Sequence, residues 1–99
     1  MMNLDNYELH TIPKLWAGYQ SKLDKGIDEP YINVGDYVII NDEETINENL
    51  TDIANKCLPV CASCKVATDL YFTTVCYNGN DYILADSDIV IVLKPKMKG

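Results

Sequence analysis

The chain lacks arginine altogether. Its eight basic residues are all lysines, against 15 aspartates and glutamates, which gives a formal net charge of −7 and a pI of about 4.4. Affinity for nucleic acid depends on neutralising phosphates, and arginine supplies most bidentate contacts to phosphates and bases. The composition therefore argues against direct binding of DNA or RNA, and an anionic membrane surface would repel the chain too.

Long apolar runs are also missing. No stretch approaches the roughly 18 apolar residues of a transmembrane helix, and the N-terminal MMNLDNYELH carries acids where a signal peptide carries bases. We therefore expect a cytoplasmic protein with no membrane partner. The length of 99 residues, 47% of them hydrophobic, predicts a single domain over 1–99. Its first ten or so residues are expected to be mobile.

Residues for conventional catalysis are scarce. His10 is the single histidine, so neither a Ser–His nor a Cys–His pair is indicated. No Walker loop, dinucleotide-binding glycine pattern or HExxH motif is present. The sequence predicts that the protein is not an enzyme and needs no cofactor.

Apolar spacing predicts two helices. The first covers Thr11–Leu23, with Thr11 as its cap and Gly26 beyond its end. The second covers Thr45–Cys57, because Thr45 and Glu48 match a capping box and apolar residues recur on one face. Cys57 would continue that buried face, and Pro59 would end the helix.

Strands are predicted around and after the second helix. Tyr37–Ile40 is rich in β-branched and aromatic residues. From Val60 onward the chain alternates, and Asn78-Gly79-Asn80 signals a hairpin turn. A second turn at 86–88 precedes the last strand, 89–93. The predicted fold is α+β: a small antiparallel curled sheet with an N-terminal helix and a helix inserted after the first strand.

Two segments resemble SH3-like small β-barrels. Val34-Gly35-Asp36-Tyr37-Val38-Ile39 is similar to the GDxVxV opening strand of that family, and residues 81–89 resemble the strand, short turn and final strand that close the barrel. SH3-like barrels are mostly binding modules, so the resemblance implies binding rather than catalysis.

The acidic residues are concentrated between Lys25 and Lys56, a stretch without any base. The predicted partner-binding residues are the acids of its second half, Asp42, Glu43, Glu44, Glu48 and Asp52. Such a surface favours a protein partner with a basic surface. In small size, acidity and composition the chain is similar to phage-encoded anti-defence proteins. This resemblance implies an inhibitor that occupies a nucleic-acid-binding surface of a host protein, in the host cytoplasm.

Four cysteines, Cys57, Cys61, Cys64 and Cys76, leave several alternatives open. The CxxC pair at 61–64 with two further thiols could bind zinc and stabilise a small adaptor. The same pair could act as a redox dithiol, or two of the cysteines could form a disulfide. All four could also remain reduced, as small apolar residues.

Seven tyrosines raise a further possibility. A small-molecule pocket at the mouth of a barrel could be lined by some of them, because tyrosine offers both an apolar ring and a polar tip. They are Tyr7, Tyr19, Tyr31, Tyr37, Tyr71, Tyr77 and Tyr82. The sequence alone does not separate this role from ordinary strand composition.

Overall fold

The computed structural model of the chain describes residues 4–67 and 69–96. In chain order the elements are β1 (Tyr7–Thr11), α1 (Ile12–Leu23), β2 (Tyr37–Ile40), β3 (Cys57–Ala67), β4 (Leu70–Tyr77), β5 (Asn80–Leu84) and β6 (Ile89–Pro95). Short 3₁₀ helices cover Leu4–Asn6, Glu48–Ile53 and Asp86–Asp88. Within these residues no helix is both long enough and apolar enough to cross a membrane.

The strands form one six-stranded sheet in the order β1-β6-β2-β3-β4-β5, with every neighbouring pair antiparallel. β3 is shared along its length: residues 57–59 pair with β2, whereas residues 60–67 pair with β4. The register of β3 against β4 shifts at Cys61 and again at Val66. Such bulges bend a strand and increase its twist. The prediction of a small antiparallel sheet is confirmed.

Side-chain alternation places the core on one face of the sheet. Tyr71, Thr73 and Val75 of β4 are buried, and their neighbours along the strand are more exposed. This is the period of two that the sequence predicts for a half-buried strand. The most deeply buried residues of the hydrophobic cluster are Tyr19, Ile32, Val38, Ile40, Ile53, Val75, Leu84 and Val92.

The first predicted helix is confirmed. α1 begins directly after Thr11, whose hydroxyl accepts a hydrogen bond from the Lys14 backbone N–H at 3.4 Å. β1, immediately before it, was not predicted, and it pairs with β6 from Tyr7↔Pro95 to Thr11↔Ile91. The segment expected to be mobile therefore includes strand residues 7–10; its first three residues lie outside the part of the chain that the structure describes.

The second predicted helix, Thr45–Cys57, is wrong. Only Glu48–Ile53 is helical there, and it is a 3₁₀ helix. Asp42 Oδ1 accepts from the Thr45 backbone N–H at 3.0 Å, and Asn47 Oδ1 accepts from the Asn49 N–H at 3.2 Å. Short polar side chains that capture nearby backbone donors compete with α-helix formation in this way.

The residues predicted at the two ends of that helix have other roles in the structure. The cap is Asn47 and not Thr45, so the predicted Thr45–Glu48 capping box does not form. Cys57 and Pro59 belong to β3, where Cys57 pairs with Ile39 and is exposed rather than buried on a helix face.

The hairpin between β4 and β5 is confirmed. Tyr77 pairs with Asn80, which leaves Asn78 and Gly79 as a two-residue turn with φ of 52° and 80°. Positive φ at both turn positions is the signature of a type I′ turn, whose twist matches that of the flanking strands. The predicted turn at 86–88 is a 3₁₀ helix that leads into β6.

Candidate functional site

Residues 41–56 connect β2 to β3 and form a closed loop, here called the acidic loop. Its ends meet, because the Asn55 backbone N–H donates to the Asn41 carbonyl at 3.0 Å. Ile46, Leu50 and Ile53 are buried and fix the loop to the core. The predicted apolar spacing therefore marks the buried side correctly, although the backbone is not an α-helix.

All five predicted partner-binding residues lie on this loop and are exposed: Asp42, Glu43, Glu44, Glu48 and Asp52. None of them forms a salt bridge with any lysine among residues 4–67 and 69–96. Asp42 has a structural role as well, since its carboxylate accepts the Thr45 N–H. The loop thus presents these carboxylates to solvent outside any salt bridge of the described residues.

The cysteines divide into a pair and two single thiols. Cys61 of β3 and Cys76 of β4 are joined by a disulfide, with their Cα atoms 6.3 Å apart. Cys57 and Cys64 are free and exposed. Partial desolvation raises the pKa of the Cys57 thiol, which lowers its thiolate fraction and its reactivity.

The structure does not bring the four cysteines proposed as zinc ligands together. Cys57 and Cys64 lie seven residues apart along β3, which corresponds to roughly 20 Å of extended strand. No group of three or more His, Cys, Asp or Glu side chains suited to a metal occurs in the described part of the chain. Of the predicted metal set, Cys61 and Cys76 alone are joined, and they are joined by a disulfide.

An aromatic cluster lies beside α1. The rings of Trp16, Tyr19, Tyr31 and Tyr71 contact one another with centroids 5.1 to 6.3 Å apart. Tilted and edge-to-face pairs at these distances add stability beyond the area that they bury. The cluster joins the helix to β4 and to the segment before β2.

Two carboxylates accept the hydroxyl groups of this cluster. Asp28 Oδ1 accepts from Tyr19 Oη and from Tyr71 Oη, each at 2.9 Å, and its other oxygen contacts Lys65 Nζ. The bond from Lys65, followed by those from the tyrosines, holds the pKa of Asp28 below its usual value. Burial, with the bond to Asp28, raises the pKa of Tyr19 to about 12.

The second carboxylate is Asp86, whose Oδ2 accepts from Tyr31 Oη at 2.5 Å. Burial raises the pKa of Asp86, and the bond from Tyr31 partly opposes this shift. Burial and the same bond raise the pKa of Tyr31. The hydroxyls of Tyr19 and Tyr31 are engaged in these bonds, and the two residues are only 2% and 8% exposed.

A cleft of about 290 Å³ opens between α1 and residues 29–33. One helix face forms a wall with Lys14, Gly18 and Lys22, positions that are four residues apart. Apolar and aromatic residues, Leu15, Pro30, Tyr19 and Tyr31, form another part of the lining. The remaining lining residues are His10, Glu29, Asn33 and Lys94.

The charge of the cleft contrasts with that of the whole chain. Three of the eight lysines line it. Lys22 Nζ lies 2.9 Å from Glu29 Oε1, with both side chains more than half exposed. Lys94 Nζ lies 2.5 Å from the buried Asp36 Oδ2. Lys14 has no side-chain partner among residues 4–67 and 69–96.

Comparisons with protein-family models, with curated proteins and with solved structures each give no match. Any functional conclusion therefore depends on the acidic loop, the cysteines and the cleft described above.

Sequence reasoning missed the cleft and most of the aromatic cluster. A signal was present in α1, where Lys14, Gly18 and Lys22 recur every fourth residue and must share one helix face. Tyr19 and Tyr31 belong to the seven tyrosines named above, and both line the cleft. Nothing in the sequence indicated that Lys94, far along the chain, would join them.

Proposed function

We propose that the protein is a small acidic interaction module that binds a basic surface of a protein partner through the acidic loop. The observation that carries the proposal is that five exposed carboxylates lie on one closed loop without a lysine partner among the described residues. Like-charged groups held together attract an oppositely charged surface and speed its association.

The anchoring of the acidic loop supports this function. Ile46, Leu50 and Ile53 hold its inner side in the core, and the Asn55–Asn41 backbone bond closes it. A loop fixed in this way loses little conformational entropy on binding, so more of the electrostatic attraction contributes to affinity. The partner class that we propose is a host protein whose basic surface binds nucleic acid, with the carboxylates taking the place of phosphates and inhibiting it.

We also propose that residues 34–95 form an SH3-like barrel to which β1 and α1 are added. Support comes from the strand order β6-β2-β3-β4-β5, from the bends in β3, and from the 3₁₀ helix that precedes the last strand. The acidic loop then connects the first two strands of the barrel. A binding module with function in its loops is typical of such small barrels.

Affinity capture from lysate of the native host, at low salt and in about 0.5 M NaCl, tests the function. At that salt concentration exposed charges are screened beyond a few ångströms. We expect a specific captured protein that is released both by salt and by added nucleic acid. Capture that is indifferent to salt would contradict the proposal.

Charge-neutralised variants make this test specific to the loop. The triple change Glu43→Gln, Glu44→Gln and Glu48→Gln should abolish capture, and it leaves the structural carboxylate of Asp42 in place. The matched control removes three exposed acids elsewhere, Glu8, Asp24 and Asp69, as amides. Equal loss in both variants would show that net charge, and not the acidic loop, is responsible.

A further inference from the structure

Gly18 is a residue that the fold itself does not require. It lies in the middle of α1, and its φ is not in the left-handed region. A Cβ added at this position would meet no atom within 4 Å. Glycine weakens a helix interior relative to alanine, so neither backbone conformation nor close packing within the described chain accounts for it.

Gly18 itself lines the cleft. Lys14 lies one turn before it and Lys22 one turn after it on the same helix face. The missing side chain therefore leaves a notch between these two lysines. The apolar Leu15 and Pro30 line this notch, together with Tyr19 and Tyr31, which are largely buried.

The polar groups of the cleft are mostly donors. Lys14, Lys22 and Lys94 are donors, of which Lys94 is already bound to Asp36, and Glu29 is the one carboxylate among the lining residues. Glu29 is bound to Lys22 in an exposed pair, and such pairs contribute little and exchange readily with other partners. Lys14 is the strongest candidate for an external partner, since no acceptor is bound to it among the described residues.

We propose that this cleft is a second binding site, which takes a small organic anion: a carboxylate or phosphate group carried on a flat apolar body. The apolar body lies over Gly18, against Leu15 and Pro30. The anionic group is bound by Lys14 and by Lys22, which exchanges Glu29 for the ligand. The volume of about 290 Å³ is at the lower end of the range for small-molecule pockets.

The site is independent of the acidic loop. It uses α1, β1, β6 and residues 29–33, and none of its lining residues belongs to 41–56. It also has the opposite charge preference, because it attracts anions whereas the acidic loop repels them. Failure of one proposal therefore leaves the other standing.

Trp16 provides a signal for the test. It is the single tryptophan of the chain, and its ring lies 5.3 Å from that of Tyr19 and 5.8 Å from that of Tyr31. Its emission should therefore respond to occupation of the cleft. The probes are phenyl phosphate and benzoate, with benzamide as a neutral counterpart and inorganic phosphate as a charge without an apolar body. We expect saturable changes with the first two and at least a tenfold weaker response to the others.

Variants assign the response to the cleft. Gly18→Leu should fill the notch and abolish binding of phenyl phosphate while the far-UV circular dichroism stays that of the folded protein, because leucine is a better helix former than glycine. Lys14→Gln should weaken binding several-fold. Lys25→Gln removes an exposed lysine that does not line the cleft and should have no effect.

Three outcomes would overturn the proposal. The first is no saturable response to any probe. The second is equal binding of inorganic phosphate and phenyl phosphate, which would show attraction to lysines alone. The third is unchanged binding in folded Gly18→Leu. If Gly18→Leu does not fold, binding of phenyl phosphate is measured with Gly18→Met, Lys14→Gln and Lys25→Gln instead. Unchanged binding in folded Gly18→Met, or equal binding in the two lysine variants, then overturns the proposal.

Discussion

Asp28 is a single carboxylate on which three donors converge from three parts of the chain, namely α1, β3 and β4. Its pKa is lowered in the folded protein, mainly by Lys65. A lowered carboxyl pKa contributes stability that is present above the unfolded pKa of about 3.9, and this stability is lost as the pH falls through the folded pKa. The pH dependence of stability therefore involves Asp28, which accepts hydrogen bonds from two tyrosines of the aromatic cluster.

We expect Asp28→Asn to lower the melting temperature at neutral pH and to have progressively less effect below pH of about 4. The reason is that the protonated wild-type side chain then resembles the amide. Thermal unfolding followed by circular dichroism across this range measures the difference. Asp24→Asn is the control, since it removes an exposed carboxylate outside any salt bridge of the described residues. A difference for Asp28→Asn that does not depend on pH would contradict the argument.

The ion pair between Asp36 and Lys94 is a second interaction that depends on single residues. Asp36 is 5% exposed and also accepts from the Asn33 backbone N–H at 2.9 Å. Removing one member of a buried pair leaves an uncompensated charge, which costs about 3–5 kcal/mol when the pair is fully buried. The Lys94 side chain is 23% exposed, so some of this cost is relieved by water.

We therefore expect Lys94→Met to lower the free energy of unfolding by about 2–3 kcal/mol. Urea denaturation gives this value directly. Lys22→Met is the matched control, because it breaks the exposed Lys22–Glu29 pair and should cost less than about 1 kcal/mol. Equal losses in the two variants would show that burial of Asp36 does not set the strength of its ion pair.

Among the elements, α1 and the β4–β5 hairpin each contain a glycine. The two glycines differ in backbone conformation. Gly79 has φ of 80° in the two-residue turn, a conformation that side chains disfavour. Gly18 has an ordinary helical backbone and open space around it. The same substitution should therefore act in opposite directions at the two positions.

We expect Gly18→Ala to raise the free energy of unfolding by up to about 1 kcal/mol, the difference in helix propensity. Gly79→Ala should lower it by about 1–2 kcal/mol, because alanine must adopt the left-handed region. Urea denaturation of both variants beside the wild type tests the pair. Shifts of the same sign would contradict the argument that backbone conformation separates the two glycines.

At the scale of the whole molecule, the disulfide joins the two longest strands and closes a loop of 15 residues in sequence. Such a cross-link stabilises by about 3 kcal/mol, mainly by restricting the unfolded chain. Disulfides persist in oxidising compartments and are uncommon in the cytosol. The predicted cytoplasmic location stays a prediction, and in that compartment the reduced form would be the relevant one.

We expect a thiol reagent to modify two cysteines of the native oxidised protein, Cys57 and Cys64, and all four after reduction and denaturation. Reduction should lower the free energy of unfolding by about 3 kcal/mol, and Cys61→Ser should do the same. Cys64→Ser removes an exposed free thiol and should change it little. Four reactive thiols in the native oxidised protein would contradict the pairing.

The acidic loop shows where local sequence rules stop being sufficient. Its apolar residues have helical spacing, and the sequence therefore predicted an α-helix over Thr45–Cys57. Side-chain oxygens of Asp42 and Asn47 capture backbone donors instead, and Cys57 begins a strand because Ile39 is available to pair with it. The buried side of the loop was predictable because it depends on spacing. Its backbone was not, because tertiary pairing decided it.

The sequence by itself determined the net charge, α1 and the β4–β5 hairpin, since each depends on composition or on residues a few positions apart. Tertiary structure alone decided which residues meet across long separations. Asp36 binds Lys94 over 58 residues, and Tyr31 binds Asp86 over 55. Periodicity within a segment carries no information about such partners, which depend on how the sheet is ordered. The cleft and the Cys61–Cys76 pair belong to this second class.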